Sequence, residues 1–183
     1  MADGFIPPTA STYARTPQDM QFVREALADW KPAVLRALYI GPAFGEDFVS
    51  WIPVGWGTGT EVQWTALELD PTAAAAVAQH SGVPVEVLEG DFRRGIPAGF
   101  ALIVANHVWT HSPAENIRGL ELLLRTRPAL LIAHDHKCSA AVLGELLTRH
   151  GYRLLRYNAD QQPRASNTWP FLFARRSLPW VGI

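Results

Sequence analysis

The chain has 183 residues, of which 48% are hydrophobic and 18% are charged, and its formal net charge is −1. This composition predicts one globular domain with a substantial core and argues against a disordered chain. Because the arginines are scattered among acids, there is no overall basic surface, and nucleic acid is disfavoured as a partner.

The ends of the chain and its cysteine content bear on domain organisation and location. Residues 1–16 carry two prolines and several Ser and Thr without periodicity, so we expect a flexible arm or lid before a single domain at 17–183. The N-terminus lacks the basic and apolar segments of a signal peptide, and no run approaches the roughly 18 apolar residues of a membrane span. The one cysteine, Cys138, cannot form an internal disulfide. This fits a reducing compartment such as the cytoplasm, and we interpret the thiol as a packing group rather than a nucleophile.

Apolar periodicity and turn residues predict strands and helices in alternation. A first helix starts at Thr16 and stops before Pro32, and Pro53 shortens the helix after the first strand to about two turns. Later helices are predicted over residues 72–80, 112–127 and 139–150. The predicted strands cover residues 34–40, 64–69, 83–88, 101–105, 129–133, 152–157 and 170–174.

This alternation predicts a three-layer α/β/α, doubly wound fold. Seven strands are expected in a mostly parallel sheet. The last two strands are separated only by a loop, so we expect them to be antiparallel neighbours, with one strand of the sheet reversed.

Two glycines, Gly41 and Gly45, follow the first strand at the edge where open α/β sheets bind ligands. A dinucleotide fingerprint would have a glycine in place of Ala43, and no Gly-Lys-Ser/Thr of a Walker A loop follows. Glu46 and Asp47 stand at the helix start where a pyrophosphate would bind. The turn therefore favours a cationic ligand over a phosphate.

Four motifs in order resemble those of class I S-adenosylmethionine-dependent methyltransferases over about residues 20–175. "YIGPAFG" is similar to the glycine motif, "TALELDP" supplies an acid at the end of strand two, "EGDF" resembles the loop after strand three, and "FALIVANHVWTH" resembles strand four. The sequence departs from the pattern at Ala43, at Tyr39, where an acid is common, and at Ala101, where an aspartate is frequent. The C-terminal part also resembles the FkbM-type branch, whose members methylate hydroxyl groups on natural products or sugars.

The resemblance implies a donor site for S-adenosylmethionine. Glu68 would accept the ribose hydroxyls, Asp91 would meet the adenine amino group and Phe92 would pack on the ring. For Asp91 a plain turn is the alternative, because an acid after glycine also suits a turn. The implied cofactor-binding residues are Tyr39, Gly41, Pro42, Ala43, Gly45, Glu68, Leu69, Asp91, Phe92 and Asn106.

Histidines after strands four and five are candidates for proton transfer from a hydroxyl acceptor. His107 is the first choice for the general base, His111 the second, and Asp135 an orienting carboxylate. A structural role is as good an interpretation for His107 and a better one for His111. His134 and His136 could ligate a metal, but further ligands at known spacing are missing, so no metal is predicted.

The leading hypothesis is methyl transfer from S-adenosylmethionine to a small-molecule acceptor, with oxygen favoured as the methylated atom. A catalytically silent binding or scaffold protein is the main alternative, motivated by Ala43, Ala101 and the short helix. A nicotinamide-dependent oxidoreductase is disfavoured by the acids at 46 and 47. Assembly into a homo-oligomer is left open.

Overall fold

The structure is a computed structural model, and it describes residues 16–43, 45–55, 57–82, 84–105, 108–110, 112–134, 138–157 and 171–176. Within these ranges the strands are β1 Val34–Ile40, β2 Glu61–Glu68, β3 Glu86–Glu89, β4 Leu102–Ala105, β5 Leu130–His134, β6 Tyr152–Tyr157 and β7 Phe171–Arg176. The α-helices are α1 Thr16–Trp30, α2 Glu46–Trp51, α3 Pro71–His80, α4 Pro113–Arg125 and α5 Ala140–Arg149. Short 3-10 helices cover Ile52–Gly55 and Phe92–Arg94.

The strands form one sheet in the order β3-β2-β1-β4-β5-β7-β6. Strands β1 to β5 pair in parallel, whereas β7 is antiparallel to both of its neighbours, β5 and β6. The predicted α/β class and mostly parallel sheet are thus confirmed. The winding reverses between β1 and β4, and the carboxyl ends of strands beside such a reversal are where open α/β sheets bind ligands.

Side chains of the central strands alternate between two hydrophobic clusters, one on each face of the sheet. On β1, Leu35, Ala37 and Tyr39 belong to one cluster, and Leu38 and Ile40 belong to the other. Helices α1 and α2 supply the first cluster, and α4 and α5 the second. This division produces three layers, and it explains why the sequences of the central strands are mostly apolar: both of their faces are largely buried.

Some element boundaries differ from the sequence-based expectation. Strand β2 begins at Glu61, three residues before the predicted Trp64, because polar residues continue its ladder with β1 as far as the Glu61–Val34 pair. Strand β3 begins at Glu86 instead of residue 83. Pro84 has no N–H to donate to the ladder, which accounts for the late start. The arm predicted at 1–16 lies outside the described residues except for Thr16.

Helix α2 has only six residues, as the position of Pro53 predicted, and it passes directly into a 3-10 turn. Two of its side chains, Phe48 and Trp51, are fully buried. They contact Tyr39 of β1 with ring centroids 5.2 and 6.4 Å away, in edge-to-face geometry. Aromatic packing of this kind anchors the short helix to the sheet, so the turn before it has a fixed support.

Candidate functional site

The turn after β1 has a left-handed backbone at three positions. The φ angles of Gly41, Ala43 and Gly45 are 69°, 49° and 92°. The N–H of Gly41 donates to the carbonyl of Leu67 over 2.9 Å, and the N–H of Gly45 donates to the carbonyl of Pro42 over 2.8 Å. For Ala43 a left-handed conformation costs about 1–2 kcal/mol, so other contacts must hold the turn in this shape.

Glu68, the acid predicted to bind ribose, supplies such a contact. The N–H of Ala43 donates to its Oε2 over 2.8 Å, and the N–H groups of Leu69 and Asp70 donate to its Oε1 over 2.8 and 3.1 Å. The residue is only 8% exposed. The carboxylate therefore joins the end of β2 to the glycine turn, and it brings the two predicted parts of the donor site within hydrogen-bond distance of each other.

A carboxylate has about four acceptor positions, and backbone N–H groups occupy three of those on Glu68. Oε1 receives two of the donors and Oε2 receives one. One position on Oε2 is left for a ligand hydroxyl, and a second ribose hydroxyl would compete with a backbone N–H. Leu69, the next residue, is 63% exposed and offers an apolar surface beside this carboxylate.

Asp91 follows Gly90, whose N–H donates to the Glu68 carbonyl over 2.8 Å. Its carboxylate caps the 3-10 helix by accepting from the N–H of Arg93 over 3.0 Å, and it also pairs with the Arg93 guanidinium. The hydrogen bond from Arg93 is the largest cause that lowers the pKa of Asp91. Asp91 is thus an ionised, locally paired acid.

Phe92, predicted to pack on the adenine ring, is buried in the cluster under α4. Its ring lies 5.8 Å from that of Trp109, edge to face. Gly119 of α4 makes room for both rings, because a Cβ there would lie 3.0 Å from Trp109 Cζ3 and 3.3 Å from Phe92 Cε2. Trp109 is therefore a packing residue between Phe92 and helix α4. Tyr39, another predicted donor contact, is similarly 1% exposed within the core.

Asn116, which no sequence motif singled out, fixes the segment after β4. Its Oδ1 accepts from the N–H of Thr110 over 2.8 Å, and its Nδ2 donates to the Thr110 carbonyl over 2.9 Å. The residue is 2% exposed. A signal was present: Asn116 precedes Leu120, Leu123 and Leu124 at helical spacing on the buried side of α4.

Several predicted site residues lie outside the described residues, namely Asn106, His107, His111, Asp135 and His136. His134 is the last residue of β5, and only its backbone is described. Among the residues that the structure describes, no cluster of three or more His, Cys, Asp or Glu side chains could hold a metal. Within the same residues, no helix combines the length and apolarity needed to cross a membrane.

The sheet order, the glycine turn and the strand-end acid define a Rossmann-like α/β fold, and solved methyltransferases share it. Magnesium protoporphyrin IX methyltransferase from Synechocystis PCC 6803 with bound SAH matches with a TM-score of 0.67 and 14% identity, over 95% of this chain and 90% of that one. Ribosomal protein L11 methylase from Lactobacillus delbrueckii subsp. bulgaricus matches with a TM-score of 0.59 and 14% identity, over 90% and 80% of the two chains.

An O-methyltransferase from neocarzinostatin biosynthesis, in complex with S-adenosylmethionine and 2-hydroxy-5-methyl naphthoic acid, matches with a TM-score of 0.58 and 13% identity. The match covers 91% of this chain and 59% of that one. The sequence itself matches no protein-family model and no curated protein. At these identities the likeness establishes the fold alone, and the molecules named with these three proteins are a porphyrin, a ribosomal protein and an aromatic acid.

Proposed function

We propose that this chain transfers a methyl group from S-adenosylmethionine to a small-molecule acceptor, with oxygen as the methylated atom. The observation that carries the proposal is the hydrogen bond from Ala43 to Glu68, which joins the glycine turn to the strand-end acid in a fold shared with SAM-bound methyltransferases. When bound, S-adenosylmethionine supplies an electrophilic methyl group on a sulfonium. The protein then has to align donor and acceptor and remove the acceptor's proton.

The described residues fit this donor in three respects. Oε2 of Glu68 keeps one acceptor position, which suits a ribose hydroxyl. Leu69 is exposed beside it and suits the face of a nucleobase. The turn from Gly41 to Gly45 contains no Lys or Arg, and the helix that follows it begins with Glu46 and Asp47. Two acids at this position suit a positively charged donor better than a phosphate.

Calorimetric titration with S-adenosylmethionine and S-adenosylhomocysteine tests donor binding. We expect Kd values below about 1 mM, that is, a binding free energy more favourable than about −4.1 kcal/mol. Replacing Glu68 by Gln should weaken binding about tenfold or more, because a charge-assisted hydrogen bond is lost. The matched control is Glu89→Gln, the same change on the neighbouring, exposed position of β3. Absence of binding heat at millimolar S-adenosylmethionine and S-adenosylhomocysteine would refute the proposed activity.

For the proton, we propose His107 as the general base, with His111 as second choice and Asp135 as the orienting carboxylate. The support is their order in the chain: His107 and His111 follow β4 and Asp135 follows β5, and the carboxyl ends of both strands lie at the same edge of the sheet as the glycine turn. His107→Ala should lower kcat by about 100- to 10,000-fold, the usual contribution of a general base. The Kd for S-adenosylhomocysteine should not change, and a variant with unaltered kcat would exclude His107.

A catalytically silent, methyltransferase-like binding protein is the second candidate. It is favoured by the six-residue α2 and by the pairing of Asp91 with Arg93. Mass spectrometry of small molecules released from the purified protein, followed by an acceptor screen, separates the candidates. Methyl transfer to any acceptor excludes the silent protein, whereas NADH binding by fluorescence would favour an oxidoreductase over both. Membership of the FkbM-type branch, a cytoplasmic location and self-association stay predictions from the sequence.

A further inference from the structure

The proposed function assigns the donor's ribose to Glu68, and the acceptor positions on this carboxylate decide how the ribose is held. Ribose presents two neighbouring hydroxyl groups, and each is a hydrogen-bond donor. A carboxylate that holds both hydroxyls needs two free acceptor positions of its roughly four. The three backbone N–H groups already bound to Glu68 therefore matter for the donor as well as for the fold.

Oxygen Oε1 of Glu68 is filled by the chain that directly follows it. It accepts from the N–H of Leu69 over 2.8 Å and from the N–H of Asp70 over 3.1 Å. Asp70 is also the N-cap of α3, since its side chain accepts from the N–H of Thr72 over 2.8 Å. The cap fixes the backbone at Asp70, so this N–H cannot turn away for a ligand without a loss at the start of the helix.

Oxygen Oε2 is half filled by the glycine turn. Ala43 donates its N–H over 2.8 Å, from a backbone that the neighbouring bonds of Gly41 and Gly45 hold in place. A ligand hydroxyl that displaced this N–H would leave a part-buried donor unsatisfied, and that loss is at least as large as the gain from one new hydrogen bond. A ligand can therefore use one position on Oε2 without breaking the turn.

The exposure of Glu68 agrees with this count, because only 8% of the residue's surface is exposed. We infer that Glu68 holds the ribose of S-adenosylmethionine through one hydroxyl and not through both, an inference that rests on the proposed function. The second hydroxyl then contributes nothing through Glu68. This differs from what the resemblance implied, in which the acid accepts both hydroxyls.

Calorimetric titration with S-adenosylhomocysteine and with its two analogues that lack the 2′ or the 3′ hydroxyl tests the inference. For each analogue, the ratio of its Kd to that of S-adenosylhomocysteine measures what the missing hydroxyl contributes. In the unmodified protein the hydroxyl bound to Oε2 should give a ratio of about 10 or more, because a charge-assisted bond is lost. In Glu68→Gln this ratio should fall by about fivefold or more, whereas the ratio for the other hydroxyl should stay within about twofold. Glu89→Gln, on the exposed neighbouring position of β3, should change neither ratio.

Two results would overturn the inference: both ratios fall in Glu68→Gln, so that the carboxylate holds both hydroxyls, or neither ratio falls while all three compounds bind. If Glu68→Gln does not fold, the unmodified protein decides. A ratio of about 10 or more for one analogue and below about 3 for the other then supports the inference, and any other pair of ratios overturns it. Absence of binding heat from all three compounds would instead refute the donor site itself.

Discussion

Replacing Glu68 by Gln should destabilise the fold well beyond the effect of an ordinary surface change. The substitution keeps size and shape but exchanges one carboxylate oxygen for an NH₂ group. In the structure both oxygens of Glu68 accept from backbone N–H groups, Oε2 from Ala43 and Oε1 from Leu69 and Asp70. A glutamine amide can satisfy only one of the two sides.

The magnitude follows from these three bonds. If the amide oxygen keeps Leu69 and Asp70, the N–H of Ala43 faces an NH₂ group, and leaving this part-buried donor unsatisfied costs about 1–2 kcal/mol. The two bonds that persist change from charge-assisted to neutral, which weakens each by several tenths of a kcal/mol. The total is about 2–3 kcal/mol. For a domain of this size, that corresponds to a drop in Tm of about 4–12 °C.

Urea unfolding followed by circular dichroism measures the effect, with an unchanged m-value as the sign that only stability differs. The matched control is Glu89→Gln, which removes the same charge from an exposed side chain in register with Glu68. It should change the free energy of unfolding by less than about 0.5 kcal/mol. A Glu68→Gln protein as stable as the control would refute the claim that this carboxylate holds the glycine turn.

Three further outcomes are expected. The pKa of Asp91 is lowered by its guanidinium partner, so its stabilising effect is complete above the unfolded pKa of about 3.9 and is lost as pH falls through the lower folded value. Urea midpoints of Asp91→Asn should therefore lie below those of the unmodified protein at about pH 6 and converge with them at about pH 2; a gap independent of pH would contradict this. Burial raises the pKa of the Cys138 thiol to about 11, so Ellman's reagent should label it slowly at neutral pH until urea is added, and fast labelling of native protein would be inconsistent with that burial. Finally, Gly55→Ala should lower the free energy of unfolding by about 1–3 kcal/mol, because the new Cβ would lie 2.6 Å from the Thr60 carbonyl oxygen. Gly144→Ala places its Cβ in open space on α5 and should raise that free energy by about 0.5–1 kcal/mol. Equal urea midpoints for the two variants would contradict this difference in sign.

Two strands that have a glycine at one boundary were predicted with the bounds that the structure shows. Strand β1 and strand β6 have their predicted bounds, Val34–Ile40 and Tyr152–Tyr157. Glycine lies at a boundary of each, Gly41 after β1 and Gly151 before β6. Helix α3 begins at Pro71, one residue before the predicted start, and the Asp70 side chain caps it by accepting from the N–H of Thr72 over 2.8 Å. Local chemistry decided these features, so the sequence alone was sufficient.

The contacts that shape the candidate site join residues far apart in the sequence or depend on the conformation of a side chain. Ala43 and Glu68 are 25 positions apart, and their hydrogen bond forms only once β1 and β2 pair. The Asn116 to Thr110 bonds require helix α4 to pack under the segment after β4. The Arg93 side chain is local, yet no spacing rule dictates that it turns back onto Asp91. Motif order predicted the site, and tertiary contacts decided which of the predicted groups are already hydrogen-bonded within the protein.

The proposed donor site consists of the turn from Gly41 to Gly45 and the segment at Glu68. Ultraviolet cross-linking of methyl-labelled S-adenosylmethionine, followed by peptide mapping, shows whether the donor binds there. We expect label on peptides that contain residues 39–45 or 68–70, displaced by excess S-adenosylhomocysteine and reduced in Glu68→Gln but not in Glu89→Gln. Label that S-adenosylhomocysteine cannot displace, or label confined to other parts of the chain, would contradict it.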